Sequence, residues 1–367
     1  MSTNTEHDPL PINQKPVGEL LGEEIEARGW SQADFAAVLE RPTQFVSEIV
    51  TGKKEITRDS AAQIGAALGL TPEYWLKLQD QYLLAEQAKN KKTQGKLAEV
   101  RRRAVLNDKG PIQLLQKRKI LISTNLDDLE AEVMDLFELP SLDAEPGFAA
   151  AAKRANDGKD ISVLQRTWVA CVRKEARRLP PKKEYSAKGL RKLARSLAQT
   201  LKAANDFADL PERFAEVGVR LAYVEMLPGG KIDGCAMFVD SYPVIGLSGR
   251  GKRLDKILFT LLHEIAHILL EHVDEENLIV EELDGNREHE SAQEAEASAE
   301  AAEWVFPGGF PTVPARISGP WVEQKAAELD VARIVLIGQL QHRNRLDWRS
   351  TLAKNAPNVN DSLGGWK

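Results

Sequence analysis

The sequence predicts a mainly α protein with a small β-sheet in its C-terminal domain, an α+β arrangement. Three observations carry that expectation. Between Val17 and Gln87, five short apolar-periodic segments alternate with caps and turns. Residues 88–215 continue in helical periodicity, broken by charged loops. After Gly218, three strand-like runs lead into a long apolar segment of helical period, Ile257 to Leu270.

Composition narrows the class. The chain has 367 residues, 43% hydrophobic and 28% charged, enough apolar material for about two or three globular domains. Cys171 and Cys235 form no Cys-x-x-Cys pair, which argues for a reducing compartment and against a disulfide scaffold. Residues 1–16 are polar and hold Pro9, Pro11 and Pro16, as a disordered tail does and a signal peptide does not. No apolar run is long enough to cross a bilayer. A cytoplasmic protein without a membrane partner is therefore expected. The net charge of -6 conceals an acidic start, a basic middle and an acidic end. An acidic first third excludes a general polyanion binder, so DNA contact there has to be local and specific.

The first five helices follow from their punctuation. Gly18–Arg28 is closed by Gly29, and Ser31 caps Gln32–Leu39. The turn Arg41-Pro42 precedes a third helix, Thr43–Val50, ended by Gly52. Asp59–Leu68 is the fourth, and Thr71-Pro72 opens the fifth. Two helices across a tight turn, the second bearing Thr43, Gln44 and Ser47, make a helix-turn-helix pattern. Gln32 is placed to bond a phosphate; Thr43, Gln44 and Ser47 to reach base edges; Lys53 and Lys54 to meet the backbone. A bundle that only dimerises is the plainer alternative. The run Arg41-Pro42-x-Gln44, Glu48-Ile49-x-x-Gly52-Lys53-Lys54-x-Ile56-Thr57, Leu68-Gly69 and Tyr74-Trp75-x-x-Leu78 resembles the Xre-type domain of the HigA antitoxin family. That resemblance covers most of residues 17–88. It implies a module that binds operator DNA, dimerises and regulates its own expression, with a cognate toxin as partner.

The middle, residues 89–215, reads as helices at Ile112–Leu115, Asp127–Leu136, Ile161–Arg178, Leu190–Leu201 and Pro211–Val217. It shows no catalytic constellation and is expected to be a spacer or sensor. Beyond it, Gly218–Val224, Gly234–Val239 and Pro243–Ser248 read as strands of a small antiparallel sheet. Glu271 to about Arg287 reads as an acidic loop.

His263-Glu264-x-x-His267 lies on the apolar segment. On a helix the two imidazoles project from one face and can share one zinc ion, with Glu264 in reach of a water on it. A core helix with hydrogen-bonded histidines is the bland alternative. A third ligand is needed. His272 lies off that face of a continuous helix, and Leu270 and Val273 stand where the longer three-histidine pattern needs Gly and His. The helix Glu290–Val305 offers Glu294, four residues before Ser298 on the same face, with Glu296 and Glu290 as competitors.

Phe259 to Leu270, followed by Glu294-x-x-Ala297 and Trp304-Val305-Phe306-Pro307, resembles the ImmA/IrrE family of zinc metallopeptidases. The likeness runs from Gly218 to His342, a residue more suited to structure than to the site. It implies a zincin-like metallopeptidase domain over 216–345, with a C-terminal tail at 346–367. The implied metal ligands are His263, His267 and Glu294, with Glu264 as the catalytic base. Ser298 stands where that family has Asp or Asn, and Glu300 where it often has an apolar residue. One Zn2+ per chain is implied, or another divalent cation such as Mn2+. The reading of the whole is a DNA-binding regulator carrying a zinc endopeptidase that cleaves a regulatory protein such as a repressor. The competing reading is a HigA-like autorepressor whose metal domain senses or only folds.

Overall fold

A computed structural model describes residues 15–149, 161–281 and 291–366. The chain divides into two compact units, Met1–Arg102 and Arg103–Lys367.

The first unit holds α1 (Val17–Ala27), α2 (Gln32–Val38), α3 (Thr43–Val50), α4 (Arg58–Leu68) and α5 (Pro72–Lys89). Their starts are set by side chains that satisfy otherwise orphaned backbone N–H groups. Ser31 and Asp34 form a capping box at α2, and Thr57 and Ser60 another at α4. Thr71 accepts from Tyr74 N at α5, where Pro72 occupies the first turn. The apolar faces meet around Leu21, Phe35, Val46, Ile64 and Trp75, all buried. At Gly18 a Cβ would lie 2.1 Å from Ile49 O, so only glycine lets α1 cross α3 this closely. Buried Gln79 is satisfied on both sides by Ile56, accepting from its N–H at 2.6 Å and donating to its carbonyl at 3.1 Å.

Helix α6 (Lys91–Lys109) spans the division between the units. The second unit continues with α7 (Ile112–Lys117), α8 (Leu126–Phe137), α9 (Val163–Arg178), α10 (Ala187–Thr200) and α11 (Leu210–Ala215). Strands β1 (Arg220–Tyr223), β2 (Gly234–Val239) and β3 (Tyr242–Leu247) precede α12 (Leu254–Leu269). Then come β4 (Ile279–Glu281), α13 (Ala292–Val305), α14 (Gly319–Glu328), α15 (Arg333–His342) and α16 (Asn360–Gly364).

The sheet is mixed rather than antiparallel. Its order is β1-β3-β2-β4, with β1 parallel to β3 and β2 antiparallel to both β3 and β4. The residues between β1 and β2 carry the chain past one strand position, so β2 returns beyond β3 instead of beside β1. Asp240 and Ser241 then close the β2–β3 hairpin with both φ values positive, at 50° and 64°, as a two-residue primed turn requires. The fourth strand falls where the sequence suggested only loop.

Both faces of the sheet are covered. Leu221, Ala236, Ile245 and Leu247 point into a core shared with α10 and α12. Ala222, Cys235, Met237 and Val244 point the other way, into a core built with α8 and α9. The helical middle is therefore no spacer. Trp168 Nε1 donates to Val224 O at 2.7 Å, and Arg118 donates to Glu225 O and Met226 O at 2.6 and 2.9 Å. Nor is the end of the chain a loose tail. Val359, Leu363 and Trp366 are buried in the core around α12, and Trp366 Nε1 donates to Phe207 O at 2.9 Å.

Candidate metal centre and nucleic-acid face

Helix α12 is buried along most of its length, and His263, Glu264 and His267 have no exposed surface. The two Nε2 atoms, four residues apart, face each other at 2.8 Å. Helix α13 brings the third group. Ser291 caps it and accepts from Glu294 N at 3.2 Å, so Glu294 stands in the first turn, where the helix dipole favours a carboxylate. Ala297 and Ala301 are buried small residues that let α13 lie close on α12. Glu294 Oε2 is then 3.0 Å from His263 Nε2, and Oε1 is 3.6 Å from His267 Nε2.

One ligand atom from each of His263, His267 and Glu294 lies within 4.8 Å of the others, a group able to hold a metal ion. Its donor set, two imidazoles and a carboxylate, is that of a three-ligand site with a position left open. Glu264 supports the fit. Both its carboxylate oxygens are buried without a hydrogen-bond partner among the described residues, which a polar group bound beside the cluster would relieve.

Electrostatics separates the two glutamates. Burial holds the Glu264 carboxyl well above the usual range, and the charges of Glu294 and Asp233 push the same way. Burial also raises Glu294, but the nearby imidazoles of His263 and His267 outweigh it and hold that carboxyl below its ordinary value. Burial lowers His267, which leaves its imidazole neutral and its lone pair free for a cation.

Of the competing third ligands, Glu296 is mostly exposed and faces His272, while Glu290 lies outside the described residues. His342 stacks near Phe259, ring centroids 5.7 Å apart, and lines a cavity of about 340 Å³ with Phe259, Val305, Val335 and Trp348. Glu300, unusual in its position, pairs with Arg191 of α10 at 2.9 Å.

In the first unit, Thr43 and Gln44 are exposed at the start of α3, with Ser47 half-buried one turn on. Gln44 Nε2 donates to Glu48 Oε1 at 2.8 Å. Lys53 and Lys54 are exposed just after the Gly52 turn, and Gln32 is half-buried in the first turn of α2. Arg41, placed by the sequence in the turn but given no contact, completes this face. Its guanidinium and the Lys54 ammonium lie over the Phe45 ring, 5.4 and 4.8 Å from the centroid. Two cations are thus held at one end of α3.

Residues 222–311 match the IrrE N-terminal-like domain of the Peptidase_M78 family. The uncharacterized HTH-type transcriptional regulator YddM of Escherichia coli (strain K12) is 30% identical over 77 residues, which are 21% of this chain and 82% of that protein. An uncharacterized HTH-type transcriptional regulator of Haemophilus influenzae (strain ATCC 51907 / DSM 11121 / KW20 / Rd) is 34% identical over 93 residues, 24% of this chain and 87% of that protein. The chain belongs to the HTH-type transcriptional regulators, joined here to an IrrE N-terminal-like domain. The structure of an addiction module antidote protein of a HigA family from Coxiella burnetii is 34% identical, covering 24% of this chain and 94% of that one, with a TM-score of 0.22. No helix of the described residues is long and apolar enough to cross a membrane.

In this regulator the peptidase-type domain holds, beside the cluster, two residues that the sequence reading left out, Asp233 and Gly234, and two that it weighed, Ser298 and His272. Asp233, 2% exposed, is held between Arg250 at 3.0 Å and Lys256 at 3.2 Å beside Glu264. Gly234 lies against the Glu264 carboxylate, leaving no room for a Cβ. Ser298 Oγ is 3.4 Å from His263 Nδ1. His272 reaches the cluster from beyond the end of α12, its Nδ1 3.0 Å from His267 Nδ1. Asp233 and Gly234 are distant in sequence and His272 lies past a helix end, so spacing alone carries no signal for them, whereas Ser298 was marked by its place one turn after Glu294 on the same face.

Proposed function

We propose that this regulator binds operator DNA through α2 and α3 and hydrolyses a peptide bond in a regulatory protein at a zinc centre. The observation that carries the reading is the convergence of His263, His267 and Glu294 beside a buried, unpartnered Glu264. His263, His267 and Glu294 would hold Zn2+, or another divalent cation such as Mn2+. Bound there, the ion supplies a positive charge that acidifies a water and polarises a carbonyl oxygen. Glu264 takes the water's proton on its carboxylate and returns it to the departing amine. Thr43, Gln44 and Ser47 would read bases, Gln32 would hydrogen-bond a phosphate, and Arg41, Lys53 and Lys54 would neutralise phosphates. A homodimer formed through the first unit would present two such faces to a two-fold operator, and the protein partner would be a repressor as substrate or a cognate toxin.

The test is Glu264→Gln, which keeps shape and removes the base. The variant should bind zinc and duplex DNA as the parent does. In cells it should leave intact those proteins that the parent cleaves, with a loss of about 100-fold or more in rate on any of them. If comparative proteomics finds no cleavage product that depends on Glu264, the hydrolytic reading fails. One observation favours a second reading, an autorepressor with a structural metal: His263, Glu264 and His267 have no exposed surface, and only Glu294 opens outward.

A further inference from the structure

We infer that His272 and Glu296 form a relay that fixes the ring of His267 and turns its Nε2 lone pair toward the metal. The inference rests on the metal-binding part of the proposed function and not on hydrolysis. Glu296 Oε2 lies 3.4 Å from His272 Nε2, and His272 Nδ1 lies 3.0 Å from His267 Nδ1. An ionised carboxylate only accepts hydrogen bonds. The proton between Glu296 and His272 therefore sits on His272 Nε2. A neutral imidazole with that proton accepts at its other nitrogen, so His272 Nδ1 takes a hydrogen bond from His267 Nδ1–H. His267 Nε2 is left with a bare lone pair, facing His263 Nε2 at 2.8 Å and Glu294 Oε1 at 3.6 Å. Each tautomer follows from the one before, starting from a charge.

The backbone holds the relay in place. Helix α12 ends at Leu269, and Glu271 has a φ of +59°, which swings the next residue back over the last turn. His272 N donates to His267 O at 3.0 Å, and the ring is buried with 7% of its side chain exposed. His272 approaches the far edge of the His267 ring, away from the nitrogen aimed at Glu294, so it is a positioning residue and not a fourth ligand. His263 has a lighter counterpart in Ser298 Oγ, 3.4 Å from its Nδ1.

The experiment is a zinc titration of the full-length protein against a chromophoric chelator, with the metal content and melting temperature of each variant measured alongside. His272→Ala should weaken zinc binding about 10–100-fold while one zinc per chain is still reached at saturation. Glu296→Ala, at a side chain 62% exposed and remote from the core, keeps the fold and should weaken binding about 10-fold, the low end of such effects. Glu296→Gln retains an accepting oxygen and should restore most of that loss. X-ray absorption of the zinc-loaded parent should count two imidazoles. Unchanged affinity in both alanine variants overturns the relay, and so does a third imidazole, which would make His272 a ligand. If the parent binds zinc and cleaves nothing, hydrolysis fails while the affinities still decide the relay. If the parent takes up no divalent ion, both fall.

Discussion

A methyl group on Gly234 would sit 2.4 Å from Glu264 Oε1 and 2.8 Å from Thr260 Cγ2. Both neighbours belong to the buried helix α12, so neither can swing out to solvent. Gly234→Ala should therefore displace the Glu264 carboxylate, costing about 1–3 kcal/mol of stability as overpacking does. Zinc affinity should stay within a few fold, since none of the three proposed ligand residues touches that methyl, whereas the proposed Glu264-dependent cleavage should fall by about 100-fold or more. Chemical denaturation, a zinc titration and a cleavage assay separate the three; parental cleavage in this variant would show that the carboxylate's position is not critical. At this scale the sequence was legible wherever chemistry is local. His263 and His267 are one helical turn apart, so any helix there brings them together. Glu294 was distinguishable only by a face argument, because α13 carries several glutamates and its packing angle decides which one faces inward. His272 was discounted because a continuous helix turns it away. The left-handed Glu271 ends that helix, and no residue pattern announces a non-glycine in that conformation.

One carboxylate at the end of α8 gathers two arginines of α9. Glu138, in the left-handed conformation at the C-terminus of α8 (φ +55°), accepts from Arg173 Nε and Nη2 at 2.7 and 2.9 Å and from Arg177 Nη1 at 2.7 Å. Burial alone would raise its pKa, but the hydrogen bonds and charges of the two arginines outweigh that and bring it from 4.5 down to about 2. A carboxyl depressed in the folded state adds stability that is complete above its unfolded value near 4.5. That stability drains away as pH falls toward 2. Glu138→Gln should therefore cost about 1–2 kcal/mol at neutral pH, and the difference from the parent should shrink steadily below pH 4.5 and vanish near pH 2. Denaturant midpoints at a series of pH values test it; a pH-independent difference would assign the effect to packing. Elements with their own punctuation were readable in advance, as with the capped helices α2, α4 and α5. The pairing of β1 with β3 was not, because strand order depends on where a connection crosses the sheet and not on alternation within a strand.

The two compact units differ in how their cores are assembled. The first is closed by neighbours, with its buried apolar residues falling between Val17 and Trp75. The second gathers residues from Leu106 to Trp366, so its stability depends on contacts between remote parts of the chain. That is why the domain limits read from composition miss its extent: polar 346–367 looks like a tail, yet Val359, Leu363 and Trp366 recur at helical spacing and seal the core around α12. Trp366 is 9% exposed, with its indole N–H committed to Phe207 O. Truncating it removes a large buried ring and leaves that carbonyl without its donor, so Trp366→Ala should cost about 3–5 kcal/mol. The loss should fall on one unit. Calorimetry of the full chain should show two transitions, with the one belonging to the second unit lowered and the one belonging to the helix-turn-helix unit unmoved. Zinc should partly restore the lowered transition, because a ligand bound only by the folded state stabilises it by mass action. A single transition shifted as a whole would mean that the units unfold together.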